Sequence, residues 1–325
     1  MISERLAKKS LLLVNKRAGN GHATKLADEI NSIHELDTLD IKDFFALQSD
    51  QLNKLFESLS HIFVLGGDGS SFSLLNLLLT SDLQSGIVIT PLGLGGENVL
   101  AKSVGSYGRS VATVGQVLMG EYQVKTVRPL TTTLRTELQN TEHPFLWSIH
   151  AGFSAAVLSE IELLRSIGAS DFKRRYAGTI RKLLQLREFE PVYISGSGLK
   201  NKSVIDFGII SAALPYWTSK FKLPVKEQQT AILHTIEGQD RLQSEPSSFI
   251  AKFLLELIAL KLGLKIPREI VVHRQLLDDF TLSVTTPHQE IAIDSEVFQA
   301  ESALVTNRQS PHIKSDKILL AKVDK

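Results

Sequence analysis

Three short apolar runs, each ending in a glycine-rich turn and followed by a helical pattern, constrain this chain most. The second is the clearest: Ile62-Phe63-Val64 leads into Leu65-Gly66-Gly67-Asp68-Gly69-Ser70, and residues 71–79 read as a helix. A short continuous apolar run is the signature of a buried parallel strand. The glycines let the backbone turn sharply and pass close to a ligand, because no Cβ blocks the approach. The helix that follows presents its first amide groups and its dipole to the turn, which suits phosphate. Asp68 does not belong in a pure anion cradle, so it points to a metal ion, a nucleotide hydroxyl or a proton.

An isolated Gly-Asp-Gly would more often be a plain strand-to-helix turn with a surface aspartate. Here the layout recurs. Upstream, Leu11-Leu12-Leu13-Val14-Asn15 runs into Lys16-Arg17-Ala18-Gly19-Asn20-Gly21, with a helix from about Ala23. Downstream, Gly86-Ile87-Val88-Ile89-Thr90-Pro91 runs into Leu92-Gly93-Leu94-Gly95-Gly96-Glu97-Asn98, and Val99 opens another helix. In an open parallel sheet, ligands bind outside the carboxyl ends of the strands. The three loops are therefore expected to line one cleft.

Periodicity then divides the chain. Through about Val127, strands alternate with helical patterns such as 23–33 and 110–119, which implies a parallel sheet flanked by helices. From Thr131 onward the chain is β-rich, with strand-like pieces at 145–149, 192–195, 204–212, 269–272, 280–285 and 291–293. Helices are expected at 155–165, 174–186 and 247–262, and 317–322 reads as a last strand. At 325 residues and 43% hydrophobic content, the chain can bury two cores. A net charge of +1 provides no broad field for nucleic acid, and the absence of cysteine removes disulfides and thiol chemistry.

The N-terminus lacks a signal-peptide pattern, and the most apolar helix, 249–264, is interrupted by Lys252, Glu256 and Lys261. A cytoplasmic protein is expected, with peripheral membrane contact as an option for an apolar surface built from that helix, Tyr216, Trp217 and Phe221. None of the nine histidines pairs with another at metal-ligand spacing on one helix, and no metal site is expected of them. Only His150, beside Ala151-Gly152-Phe153, is placed to line a cleft.

The order Val14-Asn15-x-x-x-Gly19, Gly66-Gly67-Asp68-Gly69-Ser70, Pro91-Leu92-Gly93 and Asn98-Val99-Leu100-Ala101 resembles the catalytic domain of diacylglycerol kinases, sphingosine kinases and their bacterial lipid-kinase relatives. The resemblance continues through His150-Ala151-Gly152-Phe153, Arg165-Ser166-Ile167-Gly168, Tyr176-Ala177-Gly178-Thr179 and Asp294-Ser295-Glu296. Gly-Gly-Asp-Gly alone is shared with NAD kinases and phosphofructokinases and specifies only that wider group. The resemblance implies a nucleotide-binding α/β domain over 1–128 and a mostly antiparallel β-sandwich substrate domain over 129–310. Residues 311–325 would then return a strand to the first domain.

It further implies transfer of the γ-phosphoryl group of ATP, with Mg2+, to a hydroxyl of a diacylglycerol-like lipid. Nucleotide-binding positions would be Asn15, Gly66, Gly67, Asp68, Gly69, Ser70, Gly93, Glu97 and Asn98, with Arg165 and Arg174 near the phosphates. On surface grounds alone, the run Lys173-Arg174-Arg175 would be a solvated helix face. Asp294 would accept the substrate hydroxyl's proton, with Glu296 in support; two residues apart on one strand, both would project to the same side.

Several departures stand beside these matches. Leu94-Gly95-Gly96-Glu97 replaces the family's shorter Thr-containing loop, and Ser295 replaces a glycine. No acidic triplet is found around 223–230, and Leu158 stands where sphingosine kinases have an aspartate. The alternatives are therefore a catalytically silent nucleotide- or lipid-binding protein on this scaffold and an NAD kinase-like enzyme.

Overall fold

The computed structural model describes residues 9–323 except 82–85, 95–97, 170–176, 219–220, 224, 226–229, 263, 265–267, 277–279, 287–289, 295, 309 and 311–312. The chain divides into two units, residues 1–129 with 311–325, and residues 130–310.

The first unit is built on a six-stranded sheet. Its order is β2 (Asp37–Asp40), β1 (Lys9–Val14), β3 (Leu59–Gly66), β4 (Val88–Gly93), β20 (Ile318–Lys322) and β5 (Gln123–Val127). All neighbours run parallel except β20 and β5, which are antiparallel. The helices are α1 (His22–His34), α2 (Ile41–Phe45), α3 (Ser49–Ser58), α4 (Asp68–Thr80), α5 (Val99–Val104) and α6 (Ser110–Leu118). Helical spacing places Ala23, Ala27 and Ile30 on one face of α1. There they join Val114 and Val117 of α6 over Leu12, Val14, Phe63, Leu65, Val88 and Leu92 of the sheet. Leu11 and Leu13, the alternate residues of β1, are buried as well. Burial on both faces is why these strands read as unbroken apolar runs.

The second unit contains two six-stranded antiparallel sheets and matches the sandwich expected of it. One has the order β10 (Leu199–Val204), β9 (Val192–Gly196), β16 (Thr281–Thr285), β19 (Ser302–Thr306), β6 (Leu130–Arg135) and β7 (Asn140–Phe145). The other has the order β15 (Val271–Leu276), β14 (Ala231–Ile236), β11 (Asp206–Ser211), β8 (Ser148–Gly152), β17 (Glu290–Ile293) and β18 (Glu296–Gln299). Leu134, Ile194, Leu282 and Val305 of the first sheet share a core with Ile149, Phe207, Leu233 and Ile291 of the second. A separate pair, β12 (Tyr216–Thr218) and β13 (Phe221–Lys222), and the helices α7 (Phe153–Ser166), α8 (Gly178–Leu184), α9 (Gln239–Ser244) and α10 (Pro246–Leu262) complete the unit.

The strand expected at 145–149 is two strands in different sheets. β7 ends at Phe145 and β8 begins at Ser148. The amides of Leu146 and Trp147 between them bond to the Asp294 carboxylate rather than to a neighbouring strand.

Candidate functional site

In the first unit, register brings three turns to one level. Val14 lies opposite Leu65, Leu65 opposite Leu92, and Gly66 opposite Gly93. The loops after β1, β3 and β4 are therefore neighbours at the carboxyl edge of the sheet. Asn15 sits at the end of β1, where its backbone N–H donates to the Leu65 carbonyl at 2.9 Å. Its side-chain amide donates to Ser70 Oγ at 2.8 Å, and its Oδ1 accepts from the Arg17 N–H at 3.1 Å. Leu94 N–H donates to the Gly66 carbonyl at 2.7 Å and ties the third turn to the second.

Two glycines are required by this packing rather than by dihedral angle. A Cβ on Gly66 would lie 2.8 Å from Ser70 Oγ, and one on Gly93 would lie 2.8 Å from Ala101 Cβ and 2.9 Å from Asn98 Cβ. Gly67 is the residue before α4, in extended backbone, and Gly69 has open space around it. Asn98 is buried in the left-handed conformation, which asparagine tolerates better than most residues, and it begins α5.

Asp68 is the first residue of α4 and is buried. Its Oδ2 accepts the Val99 N–H at 2.9 Å and its Oδ1 accepts the Leu100 N–H at 3.1 Å. The carboxylate thus holds the first turn of α5, whose opening amides have no partner within their own helix. The acid that looked out of place in a phosphate loop has a backbone to bind. Glu97 lies outside the described residues.

In the second unit, Asp294 occupies a two-residue hairpin between β17 and β18, with Ile293 opposite Glu296. Asp294 and Glu296 therefore do not share a strand, and the expectation that both project to one side is corrected. Asp294 is buried with φ +47°, whereas Glu296 is exposed. The Asp294 carboxylate accepts three backbone N–H groups, from Leu146 at 2.8 Å, Trp147 at 2.8 Å and Ser148 at 2.9 Å. Burial pushes this carboxyl up to about 7, against the three amide donors that hold it down. Ser295 and Arg174 lie outside the described residues, and Arg165 falls in the last turns of α7.

His150 is buried in β8, which corrects its expected place lining a cleft. It opens a row of partners across the sheet: His150 opposite Gly208, Gly208 opposite His234, and His234 opposite His273. Gly208 is glycine for a steric reason, since a Cβ there would lie 2.6 Å from His150 Nδ1. Beside the row, fully buried Asp206 accepts the Ser154 N–H and the Ser154 hydroxyl, both at 2.7 Å. Ser154 stands in the first turn of α7, just after Gly152, whose φ of +86° turns β8 into the helix. A Cβ on Gly152 would overlap the Ile205 carbonyl.

Sequence reasoning missed this cluster because its members lie 28 to 67 positions from Asp206 along the chain and share no motif. Two buried acids, Glu160 and Glu256, have plain partners. Glu160 meets Arg181 and Lys182 of α8, and Glu256 accepts the amides of Glu269, Ile270 and Val271. Among the described residues, no group of three or more histidine, aspartate or glutamate side chains is placed to hold a metal ion.

Residues 9–128 match the family model of the diacylglycerol kinase catalytic domain. A search of proteins of curated function finds no match. Among solved structures, a diacylglycerol kinase from Bacillus anthracis str. Sterne is 15% identical, with a TM-score of 0.54 and 97% of each chain covered. A candidate diacylglycerol kinase from the same strain is 17% identical, with a TM-score of 0.58 and 97% coverage of both chains. Yeast NADH kinase complexed with NADH is 9% identical at a TM-score of 0.54, covering 98% of this chain and 84% of its own. At these identities the likeness is one of fold.

Proposed function

We propose that this chain, whose residues 9–128 match the family model of the diacylglycerol kinase catalytic domain, is an ATP-dependent lipid kinase. It transfers the γ-phosphoryl group to a hydroxyl of a diacylglycerol-like acceptor. The observation that carries the reading is the carboxyl edge of the first unit's sheet. There the Gly66-to-Ser70 turn, the Asn15–Ser70 bond and the Gly93–Asn98 contact zone lie at one level beside the N-terminus of α4. Phosphoryl transfer asks a protein mainly to position donor and acceptor and to stabilise charge, and adjacent turns beside a helix N-terminus serve the first need.

In this reading Asn15, Gly66, Gly67, Asp68, Gly69, Ser70, Gly93, Glu97 and Asn98 bind the nucleotide, with Arg165 and Arg174 toward its phosphates. Magnesium comes with ATP and offsets phosphate charge, and it needs only one or two protein carboxylates. Asp68 is the carboxylate at that edge, fixed there by the Val99 and Leu100 amides, and is the residue that would meet the ion. Asp294 is the base for the acceptor hydroxyl. A carboxyl titrating near 7 is suited to accept a proton at neutral pH. Glu296 supports it through charge alone. The outer face of α10 offers apolar surface to a lipid or a membrane, with Leu255, Ile258 and Leu262 each more than half exposed. No described helix is long and apolar enough to cross a membrane.

One observation favours the silent-scaffold alternative: Asp68 and Asp294 both serve as backbone anchors, a role that needs no chemistry. Labelled ATP, magnesium and either mixed lipid extract or NAD separate the readings. Label in the lipid phase supports the proposal, label in NADP supports an NAD kinase-like enzyme, and label in neither supports the silent scaffold.

A further inference from the structure

We propose that Asp206, His234 and His273, with His150 alongside, form a proton-operated latch on the N-terminus of α7. In one protonation state Asp206 is a charged cap that holds the helix start; in the other it is a neutral and weaker one.

The geometry supplies both the latch and a path to it. Asp206 Oδ1 and Oδ2 take the Ser154 N–H and hydroxyl, which fastens the opening turn of a 14-residue helix from a neighbouring strand. His234 Nδ1 lies 3.0 Å from His273 Nε2, and His234 Nε2 lies 3.5 Å from Asp206 Oδ2, a gap without a hydrogen bond that must close for a proton to cross. β15, which carries His273, is an edge strand, and His273 is the only ring of the three that is partly exposed. A proton taken from water at His273 Nδ1 lets the Nε2 proton pass to His234 Nδ1. The His234 Nε2 proton then passes to Asp206 Oδ2. Each imidazole ends neutral in its other tautomer, and the net change is one proton on Asp206.

Facing Asp206 are His150 from β8, His234 from β14 and Ser154 from α7. Behind them stand His273 of β15 and the Arg268 charge that precedes that strand. His150 is buried and its Nδ1 has no hydrogen-bond partner, so burial opposes an extra proton there more than the Asp206 charge favours it. Burial raises the Asp206 carboxyl to about 6, and it lowers His150 to about 4 and His234 and His273 to about 3. Burial therefore works against charge on all four groups, which favours a neutral Asp206 and neutral imidazoles. Neutral Asp206 keeps the shape of the cap but loses the charge-assisted bonds and the favourable interaction with the helix dipole.

Amide hydrogen exchange at residues 154–157, corrected for intrinsic pH dependence, reads the latch without reference to any kinase activity. We expect protection to fall on the order of tenfold on acidification, with a midpoint near pH 6, while the amides of β1 and β3 do not follow it. Asp206→Asn, which is neutral at every pH, is expected to lack the step and to show the weaker protection throughout. A step of equal size in Asp206→Asn, or flat protection of α7 in the wild type, overturns the proposal. Should Asp206→Asn fail to fold, the carboxyl carbon shift of Asp206 in the wild type decides: titration near pH 6 supports the latch, and a midpoint below 4.5 overturns it.

Discussion

The carboxyl edge of the first unit and the buried acids of the second use the same device in unlike surroundings. Asp68 and Asp294 each bind backbone N–H groups at the start of another element, two for α5 and, for β8, its first residue and the two before it. Asp68 does so inside a glycine-rich turn that the linear sequence advertises. Asp294 does so from a hairpin whose partners are some 147 residues away. A motif acid is thus not automatically a reagent. It can be the pin that shapes the loop in which reagents meet, and the two roles separate only by experiment.

The largest effect we expect is at Asp294. Asp294→Asn keeps the left-handed backbone and one acceptor oxygen but removes proton acceptance, so turnover should drop by ~10²–10⁴-fold with ATP affinity little changed. A thermal melt of the same variant must accompany the assay, because the amide loses acceptor capacity toward Leu146, Trp147 and Ser148. Wild-type turnover in a folded variant would leave Asp294 a pin only, as Asp68 is in its contacts. Glu296→Gln, on the exposed side of the hairpin, should cost much less.

Acid is expected to act next, chiefly on the second unit. Burial lowers the histidines at 150, 234 and 273 to about 4, 3 and 3, below the ordinary imidazole value, so they bind fewer protons folded than unfolded. Their contribution is present above about pH 6.5 and is lost as pH falls toward 4. The folded carboxyls of Asp206 and Asp294, raised to about 6 and about 7, act in the opposite sense and gain stability as pH falls. Three imidazoles, with His143 lowered as well, against two carboxyls leave the unfolded chain richer in protons near pH 5, so stability falls as the pH falls there. Denaturant melts between pH 6.5 and 4.5 measure it, and a stability that rises over that interval would contradict the assignment of the cluster.

Packing at the turns comes third. Gly93→Ala pushes a methyl toward Ala101 and Asn98 at 2.8–2.9 Å, and overpacking of that kind costs about 1–3 kcal/mol. Gly69→Ala, with nothing within 4 Å, should melt within about 1 kcal/mol of the wild type because only helix propensity changes. Equal melting temperatures for the two variants would remove the steric reading of the third turn. The smallest effect is at Ser70→Ala, which deletes the bond from Asn15 and should cost ~0.5–1.5 kcal/mol in a denaturant melt. If ATP binding weakens more than that, the hydroxyl touches the nucleotide as well as Asn15.

The linear sequence by itself determined the α/β character of the first unit, the β-rich character of the second, and the last strand at 317–322. It also determined which turns meet at the carboxyl edge. These follow from local pattern: apolar runs of strand length, helical spacing after them, and glycines where backbones approach closely. Only the tertiary structure decided what the acids do. Asp68 binds Val99 and Leu100, Asp294 and Glu296 part across a hairpin, and His150 lies buried in a row with His234 and His273. The reason is that a carboxylate or an imidazole carries no periodicity. Its role is set by which distant backbone amides and rings the strand register brings within hydrogen-bond reach, and in this chain that register joins residues up to about 150 positions apart.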